Sequence, residues 1–304
     1  MAGRSLVGAG GAAKRDFSTI APREGRFPVT RPGYIGSMPN TLIMSLSALI
    51  ALLPVSVWSL KPTPVRRDLV FWAVVAAATA GPAAASVVQL VQPWESGLSL
   101  ALWMSIAASM AVFIFAALSL REAWRLTPLL APYLLLLGIF ATLWSNVAPS
   151  GPALAQVDTW LILHIVVSVL TYGLCTLAAV AGVAVVLQER AIKRKRPHGL
   201  THRLPSVADA SRLQVRLLGI SAGVLALGIL TGMAGQYLTS GRILEFDHKT
   251  LLSFLAFGVI NLLLWLNRRS GLRGQRAARL ILLAYLLLSL AYPGVKFVSD
   301  VLLG

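Results

Sequence analysis

Two histidines, His164 and His248, stand within or at the mouth of strongly apolar stretches. An imidazole placed there can ligate a metal or make a specific hydrogen bond. His164 falls about six residues, or roughly 9 Å, into a run that begins near Asp158, and His248 opens a later run in EFDHKTLLSFLAF. Both are expected near the same end of their helices, the placement that a pair of axial ligands, or a pair facing one substrate, requires. Steps of four from Trp160 reach His164, Ser168 and Tyr172, so an aromatic ring, an imidazole, a hydroxyl and a phenol share one helical stripe. Arg242, Glu245, Asp247 and Lys249 cluster around His248. Asp247 is also the ordinary stabilising charge at a helix N-terminus, while Arg242 and Lys249 can pair with ligand carboxylates. Cofactor ligation and structural hydrogen bonding both remain open for the two imidazoles.

The other two histidines, His198 and His202, lie in KRKRPHGLTHR. Their spacing of four would suit a metal pair on a helix, but Pro197 and Gly199 argue for a loop, and no carboxylate or thiol stands near. They are expected to be solvated. No nucleotide-binding, zinc-protease or nucleophile-elbow motif appears in a fitting context, and the Gly-rich GAGGAAKR near the start follows no strand.

The elements that position these residues follow from composition. Apolar residues make up 57% of the 304 positions and charged residues 12%, a ratio that makes lipid the main solvent. The apolar runs fall at 41–60, 69–91, 98–120, 127–147, 158–187, 217–235, 248–266 and 278–298. Each matches a hydrocarbon core of about 30 Å crossed by a helix, and none shows the alternation of a lipid-facing strand. The expected fold is all-α, a polytopic membrane bundle of about eight transmembrane helices over 41–304. Pro54, Gly81-Pro82, Pro132 and Pro293-Gly294 lie inside the runs, where a missing N–H kinks a helix. Gly173, Ala178 and Gly182 offer close helix contact. Cys175, the single cysteine, reads as a small packing residue.

A net charge of +16 would point to nucleic acid in a soluble chain, but nearly all of it lies between apolar runs. No nucleic-acid partner is expected; the lipid bilayer is. Alternate loops carry eighteen Lys and Arg on one side and three (Arg242, Lys249 and Lys296) on the other. The basic loops are therefore expected in the cytoplasm, with His164 and His248 towards the periplasm of a bacterial inner membrane. Residues 1–40 read as a disordered basic extension rather than a signal peptide. Their six basic residues conflict with an outward N-terminus, unless Met38 is the start or the first helix inserts differently.

LILHIVVSVLTYG (161–173), followed by a small-residue helix ending in VVLQER, resembles the His-initiated helix of the cytochrome c assembly transmembrane proteins. EFDHKTLLSFLAF is similar to that family's W-D-x-K segment, and NRRSGLRG (267–274) and the closing LAYPGVKFVSDVLL are similar to its YpjD/HemX-like branch. The resemblance covers 40–304, with the first four helices alike in hydropathy alone. It implies an inner-membrane protein that holds or transfers haem at the outer face. His164 matches the family's outward-facing histidine, and Asp247 and Lys249 its W-D-x-K frame. Phe246 replaces the Trp and His248 the Pro of haem-lyase members, and Lys296 and Asp300 stand near where a second outward histidine would be. On this resemblance, His164 and His248 are iron ligands, Trp160 and Tyr172 flank the porphyrin, and Arg242 and Lys249 meet its propionates. The expectation is a non-enzymatic haem-handling protein partnered by cytochrome c biogenesis or other membrane proteins. A transporter with an outer cavity and an accessory scaffold acting through the 188–216 loop are the alternatives.

Overall fold

The computed structural model describes residues 38–61, 67–91, 97–145, 159–195, 199–241, 248–271, 274–294 and 297. They form α1 (Met38–Leu60), α2 (Leu69–Val91), α3 (Leu98–Ser119), a 3₁₀ turn (Ala123–Leu126), α4 (Thr127–Leu143), α5 (Thr159–Arg194), α6 (Val207–Ser240), α7 (His248–Ser270), α8 (Gln275–Ser289) and a π-helical turn (Leu290–Gly294). No strand occurs among the described residues. The 1–40 extension lies almost wholly outside them.

Among the described residues seven helices, α1 to α7, with the 3₁₀ turn extending α4, are long and apolar enough to cross a membrane. The eighth expected span begins as α8, whose 15 residues reach about 22 Å. It continues into the π turn, in which Pro293 has no N–H to offer the Ser289 carbonyl. The prolines at 54, 82 and 132 are accommodated inside continuous helices.

The largest departures from the hydropathy reading are α5 and α6. At 36 and 34 residues they extend past their apolar runs into the basic loop, and α5 reaches about 54 Å. Apolar content marks the depth of lipid, whereas capping marks the end of the helix. Ser206 caps α6: its Oγ accepts the Asp209 N–H at 3.2 Å and donates to the Asp209 carboxylate at 2.6 Å. Gly241, at φ 69°, closes the other end in a left-handed cap, its N–H donating to the Tyr237 carbonyl. The basic loop is also tied down. Gln188 Nε2 donates to the carbonyls of Thr201 and Pro205, and Arg203 donates to the Ser59 carbonyl at the end of α1.

Helix α3 packs against α2, α4 and α5; α5 packs against α6 and α8; and α7 packs against α8 and α6. Trp103, Phe71, Phe113 and Leu177 are fully buried between the helices. Close approach depends on missing side chains. A Cβ on Gly173 would lie 3.1 Å from the Ala108 backbone of α3, and one on Gly182 would lie 3.6 Å from Ala278 of α8. With Ala178 fully buried, these small residues serve interhelical contacts on two sides of α5, Gly173 towards α3 and Gly182 towards α8.

Candidate functional site

The site is built where the first turns of α5 meet the last turns of α6. Trp160 is one turn before His164, and both rings lie on the α6-facing side of α5. The Trp160 Nε1–H donates to the Thr231 carbonyl at 2.8 Å. His164 Nδ1 lies 3.1 Å from Thr231 Oγ1. The rings are seated on glycines: a Cβ on Gly232 would come 3.1 Å from His164 Cε1, and one on Gly235 would come 3.1 Å from Trp160 Cδ1. The cradle thus depends on the absence of side chains at these two positions. Sequence reasoning missed the Thr231, Gly232 and Gly235 face of α6. Its signal is the small-residue spacing of TGMAG (231–235), which marks a contact face without naming what it contacts.

The hydrogen bonds define the imidazole's chemistry. Thr231 Oγ1 donates its only hydrogen to the Gly228 carbonyl at 3.0 Å, so towards His164 it can only accept. The Gly228 carbonyl, also a hydrogen-bond partner of the ring, can likewise only accept; this pair of acceptors favours the neutral tautomer with its proton on Nδ1 and the lone pair on Nε2. The one described contact of Nε2 is the exposed Ser168 hydroxyl at 3.5 Å. A histidine held through one nitrogen, with the other nitrogen's lone pair lightly engaged, is the arrangement that metal ligation requires. Among the described residues, no three His, Cys, Asp or Glu side chains come together as a metal site. A haem iron needs only one or two axial protein ligands, and a half-buried imidazole flanked by an indole fits that demand.

The expected stripe divides along α5. Four residues advance a helix by slightly more than one turn, so each step of four rotates about 40°, and Tyr172 lies about 120° round from Trp160. Tyr172 accordingly faces α8 rather than α6. Its ring centre is 5.3 Å from that of Tyr285. Ser289 Oγ donates to the Tyr285 carbonyl, Tyr172 Oη lies 3.2 Å from Ser289 Oγ, and Tyr285 donates to Tyr172 at 2.9 Å. Tyr133 of α4 bonds Tyr285 in turn. With each hydroxyl hydrogen used once, the chain runs Tyr133 to Tyr285 to Tyr172 to Ser289, clasping α4, α5 and α8 about two turns below His164.

His248 is the first residue of α7, which packs on α6 and so starts at the end of the bundle that holds His164. The side chains of His248 and Lys249, and all of Arg242, lie outside the described residues, as does any meeting of the two imidazoles. His202 is exposed, as expected of a solvated loop residue, and His198 lies outside the described residues.

Residues 69–303 match the family described as Cytochrome C assembly protein. The chain is 49% identical over 271 residues, covering 88% of its own length and 100% of the relative's, to an uncharacterized 28.8 kDa protein of Azospirillum brasilense. It is 24% identical over 178 residues (57% of this chain, 48% of the relative) to the cytochrome c biogenesis protein CcsA of Chlamydomonas reinhardtii. It is 23% identical over 212 residues (68% and 78%) to the inner membrane protein YpjD of Escherichia coli. The chain thus spans about half the length of CcsA. No solved structure matches. A multi-pass helical membrane protein matched over most of its length in this way belongs to the cytochrome c assembly protein family.

Proposed function

We propose that the protein binds or passes haem at the outer, periplasmic side of the bacterial inner membrane, with His164 Nε2 as an axial ligand. The observation that carries this reading is the Thr231 hydroxyl, which fixes His164 through Nδ1 and leaves the Nε2 lone pair for a metal. Membership of a cytochrome c assembly family supports haem as the cargo. Haem, when bound, would supply an iron centre that accepts nitrogen ligands. The chain's own contributions are distinct. Thr231 orients the imidazole, Gly232 gives it room, and Trp160, anchored through its indole N–H, provides an apolar wall. His248, at the start of α7, is the second ligand in this proposal, and Arg242 and Lys249 are the propionate partners. Tyr172 lies off this cradle and ties α5 to α8 through its hydroxyl.

The test is an absorption spectrum of the protein purified from a haem-replete host. A Soret band in the wild type that His164→Ala and His248→Ala each diminish, and that the double variant lacks, supports the proposal. A band that survives both substitutions removes this site.

A further inference from the structure

At the opposite end of the bundle from His164, a cavity of about 470 Å³ is lined by Glu189 and Lys193 of α5, Ser270 at the end of α7, Gly271, and Gln275, Arg276 and Arg279 of α8. We infer that this cavity is a binding site for the phosphodiester headgroup of an anionic phospholipid. Among the described residues three cations and one carboxylate line it, and no ion pair joins them; the one described salt bridge is Arg125–Glu122. Among the described residues the lining thus carries an excess of two positive charges.

The carboxylate explains why the site lies beside the α8 N-terminus rather than on it. A Cβ on Gly274, the residue capping α8 at φ 69°, would lie 2.2 Å from Glu189 Oε1. Glu189 therefore already occupies the positive end of that helix. This leaves Lys193, Arg276 and Arg279 for an external anion, with the Arg forks suited to phosphate oxygens and Lys193 acting as a point charge. Glu189 can also accept a hydrogen from a headgroup hydroxyl, which favours a phosphodiester carrying a hydroxylated headgroup over bare phosphate. The cavity also sits at the level where headgroups lie. α5 has just left its apolar run, α7 ends in Arg268 and Arg269, and the Arg269 guanidinium lies 5.5 Å over the Trp265 ring, an interfacial pairing of aromatic and cation. Basic pockets between helices at such a level bind anionic headgroups.

The experiment is native mass spectrometry of the detergent-purified protein supplied in turn with phosphatidylglycerol, phosphatidylcholine and inorganic phosphate. Arg276→Gln/Arg279→Gln is compared with a control, Arg121→Gln/Arg190→Gln, which removes equal charge elsewhere; circular dichroism verifies the fold of each. Wild type and control should retain one phosphatidylglycerol in preference to phosphatidylcholine, and the cavity variant should bind it about twenty-five-fold more weakly, roughly fivefold for each cation lost. Equal retention of the two lipids, or equal loss in the control, overturns the site. Inorganic phosphate bound at these arginines without phosphatidylglycerol retention would make the occupant a free anion and refute the lipid assignment.

Discussion

Thr231→Val tests the geometry of the imidazole with little change of shape. Valine fills the volume of threonine but cannot accept the His164 Nδ1–H, which the hydroxyl meets at 3.1 Å. The Gly228 carbonyl remains as a backbone partner of the ring, so the loss is that of one hydrogen bond, about 0.5 to 1.5 kcal/mol. Part of that cost falls on the state in which Nε2 is a ligand, because the ring, held by Gly228 alone, turns away from the Thr231 side. That movement displaces the lone pair. Removing such a supporting partner weakens metal ligation by histidine about ten- to a hundredfold. The assay is a spectrophotometric haem titration of apoprotein in detergent, following the Soret band, with thermal melts to confirm an intact bundle. Thr231→Ser, which keeps the acceptor, should hold wild-type affinity. Wild-type affinity in Thr231→Val, with the fold intact, would refute the claim that this hydroxyl sets the ring.

Other outcomes follow from the same contacts. Gly232→Ala places a methyl 3.1 Å from His164 Cε1 and should displace the ring, lowering haem affinity at least tenfold in the same titration, whereas Gly228→Ala, whose Cβ meets Val167 at 3.5 Å, should leave it near wild type. Gly173→Ala, crowding the Ala108 backbone, should destabilise the bundle by about 1 to 3 kcal/mol in a thermal melt. By contrast, Gly258→Ala in open space on α7 should be neutral or stabilising by about 0.5 to 1 kcal/mol. Cys175 is 2% exposed and should be silent to a membrane-impermeant maleimide in intact cells, which makes the wild type a clean background for topology. On it, Ser150→Cys should label from outside and Gln275→Cys only after permeabilisation; the reverse pattern would invert the orientation read from the basic loops.

The bundle was legible because hydropathy reports burial in lipid directly, and seven of the eight runs begin within about three residues of a helix start, inside the usual boundary error. Hydropathy failed where another force ends the helix. The start of α6 depends on the Ser206 cap, which lies eleven residues before the expected run begins at 217. The change of α8 to a π turn at Leu290 has no equivalent in hydropathy, since Pro54, Pro82 and Pro132 leave their helices continuous. At the site, His164 and Trp160 stood out as polar groups in an apolar stretch. Thr231 and Gly232 did not, because a small residue signals only that something comes close, and α5 and α6 contact is a tertiary fact. A step of four keeps residues on one face for one turn and drifts off it by three, which is why Tyr172 faces α8 and not α6.

The most direct measurement of the central claim is chemical rescue of His164→Gly. The variant, purified from a haem-replete host, should lack the wild-type Soret band, and added imidazole should restore it by filling the space the side chain vacates beside Thr231 and Gly232. A His164→Gly protein that keeps the wild-type spectrum without imidazole would show that the iron is not held by this nitrogen.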